Sequence, residues 1–239
     1  AVSSLLSAIA TKVAIYYLAR LLFGIFIDTT HLIDLFLLFV LMPVSVIAIF
    51  YGTIAAIYQI DIKRLFALSS IAQIGYITFA FSINTHSGIS AGFIHLINHA
   101  LIKGALFMAV GIFAIGIGQR ATMNSLRGVG RQMPITFTGF VTAGLALIGV
   151  PLTAGFISKL YLFKAIFETG NGIYVAVIAV SSALSVLYLW KIFEVMWLQE
   201  PLQPLKIEKE PVLACVSLWL LVFTIIIFGI YSAGVSLYG

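Results

Sequence analysis

Residues 92–107 read GFIHLINHALIKGALF, an apolar segment that carries His95, His99 and Lys103 at intervals of four. On a helix each such step turns about 400°, so the three side chains drift by only about 40° per step and share one stripe about 12 Å long. The segment lies inside a longer apolar run, 90–117, and about 20 residues suffice to cross a bilayer. Hydrocarbon makes every ionisable group costly, so groups retained there usually mark a path or a relay; the competing reading is that His95 and His99 only hydrogen-bond across helices. Histidine titrates near neutral pH and a lysine can give up its proton in a low dielectric, so such a row can pass a proton in steps.

The rest of the chain sets the context for this helix. Of 239 residues, 62% are hydrophobic and 9% charged, and mean hydropathy is +1.16. Soluble domains carry about a quarter charged residues. The composition therefore specifies an all-α polytopic membrane protein. The net charge of +5 is scattered over span ends, which argues against nucleic acid as a partner and leaves the lipid bilayer as the surrounding medium. Cys215 is the single cysteine, so there is no disulfide framework. His95 and His99 have no Cys, Asp or Glu nearby to complete a metal site. No nucleophile–base pair, phosphate loop or haem or flavin signature is present, so neither a metal nor a cofactor is expected, and no enzyme active site. The chain starts with Ala1 and has no basic leader, which reads as a piece of a longer protein rather than a secreted precursor.

Apolar runs fall at 4–26, 35–59, 65–83, 90–117, 134–168, 171–198 and 211–235. They predict about seven crossings, provided that 134–168 makes one crossing despite Gly149-Val150-Pro151 and Gly155. Proline removes a backbone donor and clashes with the turn before it, so this run is expected to be a broken helix. Loop charge then orients the chain. Lys63 and Arg64 lie in one loop and Arg120, Arg127 and Arg131 in another, whereas 27–34 carries Asp28 and Asp34 and no Lys or Arg. The positive-inside rule places the amino end in the cytoplasm and the carboxyl end outside. Segment 199–210, with two Lys and three Glu, falls inside by parity.

Six cationic or titratable residues lie within spans: Lys12, His95, His99, Lys103, Lys159 and Lys164. Lys164 is close enough to a span end to snorkel or to pair with Glu168, and Lys191 with Glu194 reads the same way. Lys12 and Lys103 are too central for snorkelling. Lys159 follows the break, where half-helix ends place partial charges at membrane depth; the competing reading is a structural lysine that caps freed carbonyls.

These segments resemble the antiporter-like subunits shared by Mrp-type cation/proton antiporters, respiratory complex I and membrane-bound hydrogenases. VSSLLSAIATKVAIYYLAR at 2–20 is similar to the family's lysine-bearing helix in mid-subunit. DIKRLFALSSIAQIGYITFA at 61–80 matches its D-x-K-R-x-x-A-x-S-S-x-x-Q-x-G-Y block. HLINHALIKGALF at 95–107 matches its His-x3-His-x3-Lys helix, and GLALIGVPLTAGFISKLYLFKA at 144–165 its broken helix with lysine. In that family two five-helix bundles are related by inverted repetition. The resemblance implies that this chain holds the later half. Residues 1–59 would be the last helix of the first bundle and the first of the second. Residues 60–210 would be the core of the second bundle, and 211–239 a C-terminal helix. It implies a proton relay of Lys12, His95, His99, Lys103 and Lys159, with Gly149, Pro151 and Gly155 shaping the break and Asp61 and Lys63 forming a structural turn. The family's upstream glutamate–lysine pair would precede Ala1.

The implied function is proton translocation within a hetero-oligomeric antiporter or respiratory complex in the cell membrane, with H⁺ and Na⁺ as candidate ions. Lysine at both 12 and 159, with the Arg-rich loop and Met133-Pro134, resembles the D-type subunit of Mrp antiporters most. Proton-pumping subunits of complex I or of a membrane-bound hydrogenase are the alternative within the class. A truncated scaffold without transport of its own, and a secondary transporter for a small solute, are the alternatives outside it.

Overall fold

The computed structural model describes residues 9–25, 30–202 and 210–238. The described part is built of helices, and five of them are long and apolar enough to cross a membrane. In chain order, α1 runs Thr11–Arg20 and continues through a π-helical turn, Leu21–Ile25. α2 comprises Thr30–Phe36, a π turn Leu37–Leu41 and Met42–Ile57. α3 is Ile62–Ser82, α4 His86–Gly116, and α5 the short Val129–Gln132. α6, Pro134–Ile148, and α7, Ala154–Glu168, are each about half a span. α8 is Ile173–Phe193 with a closing π turn, Glu194–Leu198, and α9 is Val212–Tyr238. Asp28 and the lysines of segment 199–210 lie outside the described residues.

Burial divides the spans into interior and peripheral ones. α3 and α4 are enclosed over 78% and 67% of their most apolar windows, while α2, α8 and α9 are enclosed over 28%, 28% and 22%. The peripheral helices turn Phe39, Ile47, Leu213, Leu220 and Ile227 outward. In water that surface would be prohibitive; in a bilayer it is solvated by lipid tails. The α2–α3 contact is made by small residues. Gly52 lies against the Ala72 nitrogen and Leu68 carbonyl, and Gly75 against Ile49 and the Ser45 carbonyl. Close backbone approach of this kind is how helices adhere where hydrophobicity gives no driving force.

The run 134–168 breaks where the sequence predicts, and it makes a single passage. Its contacts with α4 descend in order: Phe140 meets Phe113, Gly155 meets Ile102, the Ala154 carbonyl accepts from Asn98, Ser158 meets His95 and Glu168 meets Ser87. Two antiparallel half-helices folded back on each other could not produce that overall progression along α4. α6 stops because Gly149 takes φ 93° and donates to Leu145, a left-handed cap that glycine adopts at no steric cost. Leu152 also has positive φ, 72°. Gly229 of α9 passes directly over the Leu152 carbonyl, so α9 covers the break.

Polar connections close both ends of the bundle. At one end the 58–62 and 117–133 segments are stitched by Ile62 N–H to Ala121 O and Met123 N–H to Ile60 O, and Arg131 donates to Trp197 O. Lys63, Arg64, Arg120, Arg127 and Arg131 belong to this end. At the opposite end Asn84 donates to Asp34 and Ser87 to Glu168. The loops grouped by charge in the sequence thus share an end. Lys191 donates to the Ile57 carbonyl at 3.3 Å, so it ties α8 to α2, and Glu194 accepts from Gln199. Lys164 is exposed, as snorkelling requires.

Asp61 is the N-cap of α3, its carboxylate accepting from the Arg64 N–H at 2.9 Å. The expected consequence is that Asp61→Ala lowers the stability of the protein by about 1 kcal/mol, the usual worth of a cap, and a thermal melt in detergent checks it.

Candidate functional site: a buried row of lysines and histidines

α4 carries the site, and its neighbours complete it. Lys103 is fully enclosed, 0% exposed, and His99 and His95 are 1% and 5% exposed. These polar groups lie in a helix whose other faces are packed with Ile102, Leu106, Val110 and Phe113. A buried ammonium needs oxygen ligands. Lys103 finds them on α3, donating to the Phe66 carbonyl at 2.8 Å and to Ser69 Oγ, with its Nζ 5.2 Å from the centre of the Phe66 ring.

His95 is held from two sides. Its Nε2 meets Gln73 Oε1 at 3.0 Å and its Nδ1 meets Ser158 Oγ at 2.8 Å. With Gln73 in this orientation Nε2 carries the proton, and Nδ1 shares the Ser158 hydroxyl with the Gly155 carbonyl, to which Ser158 donates at 3.0 Å. His99 stacks on His95, ring centres 6.3 Å apart and 8° from parallel. Both His99 nitrogens, and Gln73 Nε2, are buried without a hydrogen-bond partner. Leaving such groups unpaired costs about 1–3 kcal/mol each, and a site with several of them close together is one that hydration water stabilises.

Lys159 sits where α6 ends. Its Nζ donates to the Ile148 carbonyl and, at 2.9 Å, to Ser182 Oγ of α8, and it lies 5.4 Å from the centre of the Tyr76 ring. The Ile148 carbonyl is one of those the break frees, and the negative end of the α6 dipole favours a cation there. Lys159 is thus a buried cation that caps a carbonyl freed by the break. Gly155 allows this geometry, since a methyl group there would sit 1.8 Å from the Ala146 carbonyl oxygen. Gly149 lies against the aliphatic stem of Lys159, and Pro151 is exposed.

Lys12 comes from α1, which edge-to-face pairs of Tyr16 with Phe93 and Phe23 with Phe81 hold beside α4 and α3. It is 5% exposed and lies within Coulombic reach of His99, Lys103 and His95. All five residues singled out in the sequence are thus buried in one connected region. The structure adds Ser69, Gln73 and Tyr76 from α3, Ser158 from α7, and Ser181, Ser182, Ser185 and Tyr188 from α8. The α3 residues stood in the D-x-K-R block and were legible there. The α8 hydroxyls were signalled only by VSSALSVLY, a small-residue pattern that reads equally as helix packing. Among the described residues no cluster of three His, Cys, Asp or Glu side chains gathers as metal ligands.

The fold and this row define the class: a multi-pass helical membrane protein with a line of buried cationic groups that ends at a broken helix. The family model "NADH:quinone oxidoreductase/Mrp antiporter, TM" matches residues 1–185. The chain belongs to that family. It is 35% identical over 211 residues to NADH-quinone oxidoreductase subunit N of Desulforudis audaxviator, covering 88% of this chain and 42% of the relative. It is 32% identical over 196 residues to a candidate antiporter subunit, mnhD2, of Staphylococcus saprophyticus, covering 82% and 38%. It superposes with a TM-score of 0.81 and 30% identity on a chain of the membrane-bound sulfane sulfur reductase, an archaeal respiratory membrane complex, over 97% of this chain and 46% of that one. The chain therefore spans less than half the length of these relatives.

Proposed function

We propose that this chain conducts protons across part of the membrane as an antiporter-like module, with Lys12, His95, His99, Lys103 and Lys159 as its relay groups. The observation that carries the reading is the enclosure of Lys103 and Lys159, each hydrogen-bonded to neutral oxygens. An ion-pair network would fix such charges in place. A neutral cradle lets each amine lose its proton without leaving a counter-charge stranded. A scaffold gains nothing from this arrangement and bears its desolvation cost.

The basic end, with Arg120, Arg127 and Arg131, is the cytoplasmic one on this reading, so α1 enters from the cytoplasm and α9 ends outside. The outward apolar faces of α2 and α9 meet lipid or the other membrane subunits of a hetero-oligomeric complex. Membership of an Mrp-type antiporter, as its D-type subunit, is supported by lysine at both 12 and 159. A proton-pumping respiratory role is supported by the 35% identity to a quinone-oxidoreductase relative. Genes flanking this one separate the two: a run of small membrane subunits indicates the antiporter, and hydrogenase or quinone-module genes the redox complex. The deciding test of conduction itself is Lys103→Ala and Lys159→Ala in the assembled complex. Coupled transport retained in both variants defeats the proposal.

A further inference from the structure

Between Lys103 and Lys159 the histidine row on α4 is not the sole polar connection. α8 runs antiparallel to α3, Tyr174 meeting Phe79 and Ser181 meeting Tyr76, and side chains reaching between the two helices carry a second row. It starts at Ser69, whose Oγ accepts from Lys103 Nζ. Tyr188 comes next, 1% exposed. Its hydroxyl is buried and has Ser185 and Ser69 as its side-chain neighbours. Ser185 is buried one helical turn from Ser181, to whose carbonyl it donates at 3.0 Å. Ser181 Oγ meets Tyr76 Oη at 2.6 Å, and Tyr76 Oη meets Ser182 Oγ at 3.3 Å. Ser182 then accepts from Lys159 Nζ at 2.9 Å.

We infer that this hydroxyl row, with Tyr188 and Tyr76 as its two long members, is a second proton route between Lys103 and Lys159, parallel to the histidine route. The inference rests on the function proposed above. A hydroxyl can accept a proton on a lone pair and release its own on the far side, so one proton advances and no oxygen remains ionised. Rotation about the C–O bond resets the group. The row has the features such a route needs: both ends are hydrogen-bonded to the lysines that would load and unload it, and all its members but the half-buried Ser182 are enclosed. The step from Ser185 to Ser181 spans one turn and requires a bridging water.

Two parallel routes predict a specific pattern. The assembled complex containing this chain is reconstituted in proteoliposomes, and proton flux is driven by a potassium diffusion potential and read with an internal pH dye. His99→Leu interrupts the histidine route and Tyr188→Phe removes one oxygen from the hydroxyl route. Comparable parallel routes add, so each variant loses about half the flux and the double variant falls to the Lys103→Ala level. In the His99→Leu background Ser185→Ala reproduces the loss, and Ser185→Thr, which returns a hydroxyl to the same carbon, restores it. The inference is overturned if His99→Leu alone reaches the Lys103→Ala level, if Tyr188→Phe adds nothing to it, or if threonine at 185 fails to rescue. Wild-type flux in both Lys103→Ala and Lys159→Ala is a different failure and removes the proposed function itself.

Discussion

Vesicles carrying Lys103→Ala in the assembled complex are expected to lose proton translocation, with flux falling at least about tenfold, while the complex assembles in normal amount. A tenfold loss corresponds to about 1.4 kcal/mol in a barrier, well within what deletion of an obligatory carrier produces. Lys103 is the group at which the two polar rows of the site begin, and its cradle is made of Phe66 O and Ser69 Oγ, neither of which titrates. Assembly survives because alanine removes a charge and its desolvation cost together, and the Phe66 carbonyl it leaves behind already accepts from Ser70 within α3.

Lys103→Arg sharpens the test. A structural cation would be served by guanidinium, which is cationic and rich in donors. A carrier would not, because guanidinium stays protonated at any working pH. Conduction therefore predicts that arginine fails like alanine, and rescue of flux by arginine would falsify the carrier role. Lys159→Ala is expected to act in the same direction with a second effect, since its ammonium also neutralises the carbonyl end of α6. It should lower thermal stability where Lys103→Ala does not.

Gly155→Ala has the largest expected effect on structure. A β-carbon there meets the Ala146 carbonyl oxygen at 1.8 Å and its carbon at 2.9 Å. Both are backbone atoms of α6, so no side chain can swing away. The halves of the broken helix would have to separate, and α9 resists that, because Gly229 is already against Leu152 O and the Thr153 carbonyl carbon. Overpacking a closed core costs about 1–3 kcal/mol where neighbours can yield; here the upper end of that range or more is expected, seen as a clear fall in melting temperature and in recovered complex. A Gly155→Ala protein that melts with the wild type would show that the two halves do not overlap in this way. Gly111, with open space around it, is the control, and alanine there should be neutral or slightly stabilising.

The relation between sequence and structure differs from residue to residue. His95, His99 and Lys103 were legible as one face because helical periodicity places groups four apart in a row whatever surrounds the helix. The break at 149–155 was legible because proline and glycine act locally, on their own φ and on their own hydrogen bonds. Apolar run length gave the spans, as water is absent at bilayer depth and the backbone has only itself to bond with.

What the sequence could not settle is where each polar side chain points across helices. The spacing on α4 suggests that the histidines and lysine connect to one another along the helix. Instead His95 bonds sideways to Gln73 and Ser158, and Lys103 to Phe66 and Ser69. Tyr188 and Ser185 joined the site only because α8 runs antiparallel to α3 at a particular rotation, a matter of how side chains from distant parts of the chain interdigitate. Local chemistry along the chain thus determined the spans, the row and the break. Tertiary packing alone decided which oxygens each buried cation meets, because that depends on pairs of residues with no fixed separation in the sequence.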